Sequence, residues 1–403
     1  MLMIGSLIRC IPLVWDKIPL HLYTILCFLS ACSISAAGPI AMSAPLQLTA
    51  HWFPPNERNT ATSVGQLFNA LGNGLSFLLG LSMVTEPTEL SGTKCDASGD
   101  TITFADLEPR ETVQDIMSLN YTHAAVDIVL FILLVLYFPS KPEKPPSISS
   151  AEERLDFVGG FKILAKSLDT WLVLIAYAFP QCLIQLYQSM MVINLTDLDL
   201  DYATENNSYV EYETETCEGR ICEHWVNTLG VVMCFVSVFT SIAVASFLTL
   251  FKRKMKLSIM FLLCMSAILF IISTLVLEQV ITFNSLAGLK LALYLLLIPA
   301  VTLAQSSSPI AFELSVENSY PVSEGVIGGW LTGWFNVLGG VFFLIFLIPD
   351  ELGHPLDPRW LNFVLPISVI VPLPALVMLT EKYTRMKTDQ REHLTEPKIN
   401  SGM

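Results

Sequence analysis

Nine runs of mostly apolar residues alternate with short polar segments along the 403-residue chain. Each run approaches or exceeds the ~20 residues that an α-helix needs to cross the ~30 Å hydrocarbon core of a bilayer. The pattern therefore predicts an all-α polytopic membrane protein. The predicted spanning helices cover residues 20–50, 58–84, 120–138, 168–194, 225–250, 257–277, 288–312, 325–348 and 361–380.

The first residues, MLMIGSLIRCIPL, form a shorter apolar stretch. It is too short to span a bilayer as a helix. It also has no basic n-region and no small-residue cleavage site, so it does not resemble a signal peptide. We interpret it as the stub of a helix whose beginning is missing; an interfacial segment is the alternative.

The composition agrees with a membrane protein, because 53% of the residues are hydrophobic and only 14% are charged. A soluble domain usually carries about 25% charged residues. The formal net charge of −14 does not point to nucleic acid, because the acidic residues are concentrated in two loops. The lipid bilayer is the partner that this composition predicts.

The basic residues fall on one side of the predicted membrane. Arg58 and the segments 139–167, 252–256 and 382–403 hold 15 of the 22 lysines and arginines. The positive-inside rule makes this side cytosolic. The C-terminus is then cytosolic as well.

The opposite side holds two acidic segments, residues 86–118 and 195–223. Glycosylation triplets of the form Asn-x-Ser/Thr begin at Asn120, Asn194 and Asn206. Asn120 and Asn194 lie close to the membrane, so Asn206 is the preferred acceptor.

Cys217 and Cys222 also fall in the second acidic segment. On a lumenal or extracellular side they could form a small disulfide, because disulfides persist in oxidising compartments. Two free thiols are an equally good interpretation of the sequence.

A Pro/Ser-rich, charged segment, PSKPEKPPSISSAEERLDF, marks the clearest boundary in the chain. It predicts an incomplete N-terminal helical half at 1–138, a cytosolic linker at 139–167, a six-helix C-terminal half at 168–381 and a cytosolic tail at 382–403.

Carboxylates inside apolar segments are candidate functional residues, because ionisable groups are costly in the membrane. Glu313 and Glu317 are four residues apart and share one helical face at the cytosolic mouth. We expect them to act in gating, by pairing with a basic residue across the halves, or to anchor a loop. Arg58 on the same side is the basic residue assigned to this gate.

Asp127 lies deeper in its apolar segment, HAAVDIVLFILL. A proton-coupled carrier needs a carboxylate that loses its charge on protonation, and burial favours the neutral form. Asp127 is therefore the candidate proton-coupling residue, with an interfacial aspartate as the alternative.

Amide side chains form a stripe in AYAFPQCLIQLYQSMMVINL, where Gln181, Gln185 and Gln188 repeat at spacings of four and three. Pro180 interrupts the backbone ladder there, and an interrupted helix at membrane depth can face a cavity. Interhelical hydrogen bonding is the alternative for each of these amides.

Two further sets of side chains share helical faces. Gln66, Asn69 and Asn73 form a second polar stripe, and Trp330 and Trp334 lie four residues apart. The overlapping GxxxG pattern at 329–333 is typical of close helix contact.

Three strings resemble the major facilitator superfamily, specifically solute carrier family 49 and its member-4 branch, the homologues of disrupted in renal carcinoma protein 2. WFPPNERNTAT at 52–62 looks like the family's loop between helices four and five, and FELSVENSYPVSEG at 312–325 like that between helices ten and eleven. RCIP at 9–12 resembles the end of helix three. The resemblance implies a twelve-helix fold that here lacks helices one, two and most of three.

The resemblance also implies site residues. Tyr187, Asn336 and Asn69 match family positions in the substrate cavity, and Gln185 and Trp334 would join them. Ala70 stands where receptor-related members carry Gln, which argues against a shared substrate.

The implied activity is secondary transport of a small organic solute by alternating access. The resemblance to the member-4 branch implies proton-coupled export of vitamin B6 (pyridoxine) from lysosomes. The alternatives are a choline or haem carrier, a non-transporting truncated isoform and a plasma-membrane location. Because HExxH, GxSxG, P-loop and CxxC motifs are missing from the sequence, we expect no enzyme activity, cofactor or metal. Tyr383-Thr-Arg-Met386 has the form of a tyrosine-based sorting signal.

Overall fold

Every apolar run that predicts a long helix is helical in the computed structural model of the chain. The structure describes residues 1–14, 18–54, 57–83, 101–102, 110–139, 157–196, 221, 223–248, 254–283, 285–351 and 358–387. The helices are α1 (Leu2–Val14), α2 (Leu20–Trp52), α3 (Arg58–Met83), α4 (Arg110–Tyr137), α5 (Phe157–Lys166), α6 (Leu168–Thr196), α7 (Glu223–Leu248), α8 (Met255–Leu277), α9 (Leu286–Ser319), α10 (Glu324–Glu351), α11 (Leu361–Ile370) and α12 (Pro372–Met378).

Some helix boundaries differ from the predicted ones. Helix α4 begins at Arg110 rather than near 120, so part of the first acidic segment is helical. Helix α9 continues to Ser319 instead of ending near 312. It stops where Tyr320 precedes a proline, because the residue before proline is disfavoured in the α region. The predicted last helix is divided at Val371, and Pro372 opens α12.

Helix α5 lies in the segment that the sequence predicts to be a linker. Its two adjacent glycines lower helix propensity, which is why the pattern does not reveal it. Packing stabilises it instead: a Cβ on Gly160 would lie 3.0 Å from a Val322 methyl group, so glycine permits this approach without a shift of the valine.

Among the described residues, eight helices are long and apolar enough to cross a membrane. They are α2, α4 and α6 to α10, with α11 and α12 together forming the eighth. Helix α3, the remaining predicted span, is 26 residues long, but only Leu71–Gly80 forms an apolar stretch within it. Its first turns carry polar residues that lower the mean hydropathy.

The helices group into two units. The first contains residues 1–42 and 75–142, and the second contains 43–74 and 143–403. In the first unit α1 packs on α4, where the Cys10 thiol donates to the Asn120 carbonyl at 3.6 Å. The strands β1 (Ile18–Pro19) and β2 (Thr101–Ile102) pair antiparallel in this unit.

The second unit is built around α9, which packs against α6, α7 and α8. Its core is apolar and aromatic: the Tyr177 and Phe312 rings meet edge to face at 4.7 Å, and both are almost fully buried. Helices α6, α8 and α10 begin, and α9 ends, at one end of this unit. We call it the basic end, because Lys256, Lys382 and Arg385 lie there.

Candidate functional site

Four amide side chains on α6 and α9 form the first part of the candidate site, and we call them the amide face. The Gln181 amide donates to the Ala304 carbonyl at 3.0 Å, and the Gln305 amide donates to Gln188 Oε1 at 3.4 Å. Gln185 is exposed on the same face of α6. The Nε2 atom of Gln188 is buried without a hydrogen-bond partner among the described residues. The amide face therefore holds a donor that a bound solute can satisfy.

Gln305 is a member of this site that the sequence pattern does not reveal. It stands in VTLAQSSSPIAF, where a single amide among small and apolar residues gives no periodic stripe. Only the packing of α9 on α6 brings it to Gln188. Pro309, inside α9 four residues later, is the available local signal.

Tyr187 does not share the face of Gln185. Its side chain is fully buried within the second unit, whereas Gln185 is exposed. Two residues along an α-helix correspond to a rotation of about 200°, so the two side chains must point to opposite sides. Tyr187 is therefore not part of the amide face, and its place in a substrate cavity stays a prediction.

Tyr187 lies instead on the face of α6 that carries Asn194, seven residues on. The Asn194 amide donates to Asn362 Oδ1 of α11 at 2.7 Å, and the Asn362 amide donates to Glu278 Oε1 at 3.0 Å. Asn194 is only 1% exposed. This buried network joins α6, α8 and α11. It leaves no room for a glycan on Asn194, contrary to the sequence prediction.

Asn120, another predicted glycosylation acceptor, is inside α4 rather than in a loop. Its amide donates to the Ile116 carbonyl of the preceding turn at 2.9 Å. The helix begins ten residues earlier, at Arg110, so the acceptor triplet is held in helical geometry.

The tryptophans pack on one another. The Trp334 ring lies edge-on to Trp171 at 5.2 Å and to Trp330 at 5.9 Å, and Trp171 meets Trp330 at 5.0 Å. This cluster joins the start of α6 to α10. Trp334 is therefore engaged in packing rather than presented as a stacking platform for a solute.

Two other predicted cavity residues are exposed. Asn336 of α10 donates to the Thr332 carbonyl one turn earlier at 2.7 Å. Asn69 of α3 is also exposed. Neither contacts the amide face through an observed hydrogen bond.

Asp127 lies near the middle of α4 and accepts a hydrogen bond from Ser6 of α1. The Ser6 hydroxyl is buried and also faces the Leu2 carbonyl at 3.2 Å. The carboxyl group is thus half-buried between two apolar helices, and its role in proton coupling stays a prediction. Its observed partner is a neutral hydroxyl.

Glu313 and Glu317 converge on Arg385, which is 3% exposed. Glu313 is ion-paired with the guanidinium, and Glu317 Oε1 lies 3.2 Å from Arg385 Nε. Glu324 of α10 is a third carboxylate, 3.7 Å from Arg385 NH1. All three carboxylates are buried. The observed basic partner thus comes from the chain after α12, inside the same unit, rather than from across the halves.

Residues 379–387 form a strap across the basic end. The Lys256 backbone N–H donates to Glu381 at 2.6 Å, and the Tyr383 hydroxyl donates to the same carboxylate at 2.8 Å. Glu317 also accepts from the Met386 N–H at 3.0 Å. Burial raises the pKa of the Tyr383 phenol further above its usual range, which favours the protonated form that donates to Glu381. The hydrogen bonds to Lys256 and Glu317 therefore fold the strap onto α8 and α9.

The close helix contact of α10 involves Gly328 rather than the predicted GxxxG pair. A Cβ on Gly328 would lie 2.9 Å from Ser43 Cβ and 3.3 Å from its Cα in α2. Gly329 and Gly333 have open space instead. The GxxxG pattern thus predicted the correct helical turn of α10 for the close contact, but the wrong face of the helix.

We expect Gly328→Val to destabilise the second unit by ~1–3 kcal/mol, because overpacking forces backbone shifts. Gly329→Val is the matched control, since it carries the same cost of a β-branched residue in a helix without the clash. Thermal unfolding of the two purified variants measures the difference. Equal midpoints would remove the Ser43 contact as the reason for glycine at this position.

Several predicted residues lie outside what the structure describes. Cys217, Cys222 and Asn206 fall in an undescribed segment, and for Arg58 only the backbone is described. The disulfide, the preferred glycan acceptor and the role of Arg58 in the gate stay predictions.

Two units of long apolar helices, one of them with an uncharged amide face and an ion-paired end, define the class: a multi-pass membrane transporter. The chain belongs to the major facilitator superfamily, whose family model matches residues 1–344. Members of this superfamily carry solutes and are not enzymes.

The fold is also that of a known transporter. The E. coli fucose:proton symporter FucP superposes with a TM-score of 0.53 over 94% of this chain and 83% of that chain, at 13% sequence identity. FucP in the outward conformation gives a TM-score of 0.50 over 94% of this chain and 82% of that chain.

Curated relatives give a finer comparison. The chain is 28% identical to the solute carrier family 49 member 4 homolog of Xenopus laevis, over 96% of this chain and 76% of that protein. It is 25% identical to the choline/ethanolamine transporter FLVCR1 of Mus musculus, over 85% of this chain and 56% of that protein.

Proposed function

We propose that this secondary transporter moves a neutral, hydroxyl-bearing ring compound, namely vitamin B6 (pyridoxine), out of lysosomes together with protons. Alternating access of the solute site to the two sides of the membrane is the mechanism. The similarity to solute carrier family 49 member 4 homologues supports the branch, and the amide face supports the kind of solute.

The amide face carries the argument about the solute. Its four glutamines offer donors and acceptors without a net charge, and Gln188 Nε2 is buried without a partner in the described part of the chain. An unpaired buried donor is costly, so a solute oxygen that accepts from it would be bound with a gain. Pyridoxine has a ring nitrogen and three hydroxyl groups that can exchange hydrogen bonds with such amides.

A choline or ethanolamine carrier is the second candidate, because relatives with that name align over most of this chain. A quaternary ammonium is best recognised by exposed aromatic faces. Here the predicted aromatic residues Tyr187 and Trp334 are buried or packed against other rings. This favours the neutral solute over the cation.

The basic end is assigned to the cytosolic side in this proposal, following the positive-inside rule. Glu313 and Glu317 would then hold Arg385 while that side is closed. Separating this cluster, together with the Gly328–Ser43 contact, would accompany opening toward the cytosol. Arg58 begins α3 on the same side and stays part of the proposed gate.

Uptake of radiolabelled pyridoxine into proteoliposomes that contain the purified chain tests the proposal. We expect uptake to rise with an imposed proton gradient and to be insensitive to excess choline. Gln188→Leu should lower uptake ~10-fold, because one solute hydrogen bond in a buried site is lost.

Gln114→Leu is the matched control, since this exposed amide belongs to α4 in the other unit. Its uptake should equal that of the unmodified chain. Choline uptake in place of pyridoxine uptake would select the second candidate, and transport of neither solute would overturn both.

A further inference from the structure

Helix α5 presents an apolar stripe and a basic stripe side by side. Phe157, Phe161 and Ala165 recur every four residues, as do Val158, Lys162 and Lys166 one position later. Residues four apart lie on one face of a helix, and a shift of one residue rotates by about 100°. All six side chains are exposed.

The orientation of α5 is fixed by its opposite side. Gly160 and Leu164 are buried, and Gly160 packs closely on Val322 and Val326 of the second unit. The Phe161 ring also meets Trp330 edge to face at 5.0 Å while staying 46% exposed. The stripes therefore cannot turn inward without breaking these contacts.

The position of α5 relative to the membrane is set by its short connection to α6. Only Ser167 separates the two helices, and its N–H donates back to the Ile163 carbonyl at 3.1 Å. Trp171 of α6 donates to the Ala165 carbonyl at 2.9 Å, which holds the end of α5 against the first turn of a candidate membrane span. Helix α5 is thus held beside the first turn of this candidate membrane span.

We propose that α5 is an interfacial helix that binds anionic lipid headgroups in the leaflet at the basic end. The stripe of Phe157 and Phe161 enters the acyl-chain boundary, and Lys162 and Lys166 beside it contact lipid phosphate and carboxylate groups. Amphipathic helices with aromatic and lysine stripes lie in the interface in this way. Charge complementarity selects the anionic lipid, because lysines are drawn to an anionic leaflet.

Measured lipid binding tests this assignment. The full chain in neutral detergent micelles is titrated with fluorescent phosphatidylserine or fluorescent phosphatidylcholine, and anisotropy gives the affinity for each. Each lysine near an anionic surface contributes about fivefold. We therefore expect Lys162→Gln with Lys166→Gln to weaken phosphatidylserine binding ~25-fold and to leave phosphatidylcholine binding unchanged.

Lys254→Gln with Lys387→Gln is the matched control, because both lysines are exposed near the basic end but outside α5. It should retain phosphatidylserine binding. An equal loss in both double variants would show a diffuse charge effect, and no loss in the α5 variant would also overturn the assignment.

A second variant probes the exposed apolar side chains in the first turn of α5. Phe157→Gln with Val158→Gln changes two exposed side chains and leaves Gly160 and Leu164, the buried residues of α5, in place. It should weaken binding of both lipids. Displacement of phosphatidylserine by inorganic phosphate alone would instead identify a free-anion site and overturn the interfacial role.

Discussion

Replacing Arg385 by methionine is expected to destabilise the chain by ~3–5 kcal/mol, among the largest effects for a single residue in this fold. The side chain is 3% exposed and lies among three buried carboxylates, Glu313, Glu317 and Glu324. Removing the guanidinium leaves negative charges in a dry site with less compensation. The midpoint of denaturant unfolding of the purified variant measures the loss.

Lys387→Met is the control, because Lys387 is exposed on the same short helical turn as Arg385. An exposed charge contributes at most ~1 kcal/mol. Combining Arg385→Met with Glu313→Gln and Glu317→Gln should recover part of the loss, since the repulsive charges are then removed. A loss at Arg385 no larger than that at Lys387 would mean that the cluster does not stabilise the basic end.

Asp127→Asn is expected to abolish the acceleration of solute flux by a proton gradient. The carboxyl group is half-buried in α4 and accepts a hydrogen bond from Ser6. An asparagine keeps the size and the acceptor but cannot change its charge, so flux should lose its coupling to pH. Solute exchange between equal concentrations on both sides, which needs no net proton movement, should persist.

Asp115→Asn gives the same chemical change nearer the start of α4. Its flux should stay dependent on pH. The decisive measurement is the initial uptake rate at several imposed pH gradients. If Asp127→Asn responds to the gradient as the unmodified chain does, Asp127 is not the proton-coupling residue.

The long helices were predictable because each one corresponds to an uninterrupted apolar run. The length of such a run is set by the thickness of the bilayer and does not depend on local packing. Helix α5 was not predictable, because its stability comes from the close approach of Gly160 to Val322. A propensity scale registers the glycines only as a cost. The stabilisation that helix propensity does not include comes from this tertiary contact.

The candidate site was predictable in its chemistry and less so in its geometry. The stripe of Gln181, Gln185 and Gln188 follows from the helical period, and the same period separates Tyr187 from Gln185. The match of Tyr187 to a family position carries no information about its rotation around α6 relative to Gln185. Gln305 needed the pairing of α9 with α6, which no single stretch of sequence encodes.

The gate shows a similar division. The shared face of Glu313 and Glu317 follows from their spacing of four, and both indeed contact one arginine. Which arginine it is depends on the strap folding back over the basic end. That return is made by contacts distant in sequence, such as Asn318 donating to the Thr380 carbonyl at 3.0 Å.

The strap also changes how trafficking experiments on this chain should be understood. Tyr383 is 7% exposed and its hydroxyl accepts from the Met255 N–H at 3.1 Å, so an adaptor protein has no access to it in this conformation. Met386 is tied to Glu317 through its backbone. If a Tyr383→Ala variant fails to reach its organelle, the first explanation is therefore the loss of a packing contact rather than the loss of a sorting signal. Retention of the misfolded chain by cellular quality control would then account for the defect.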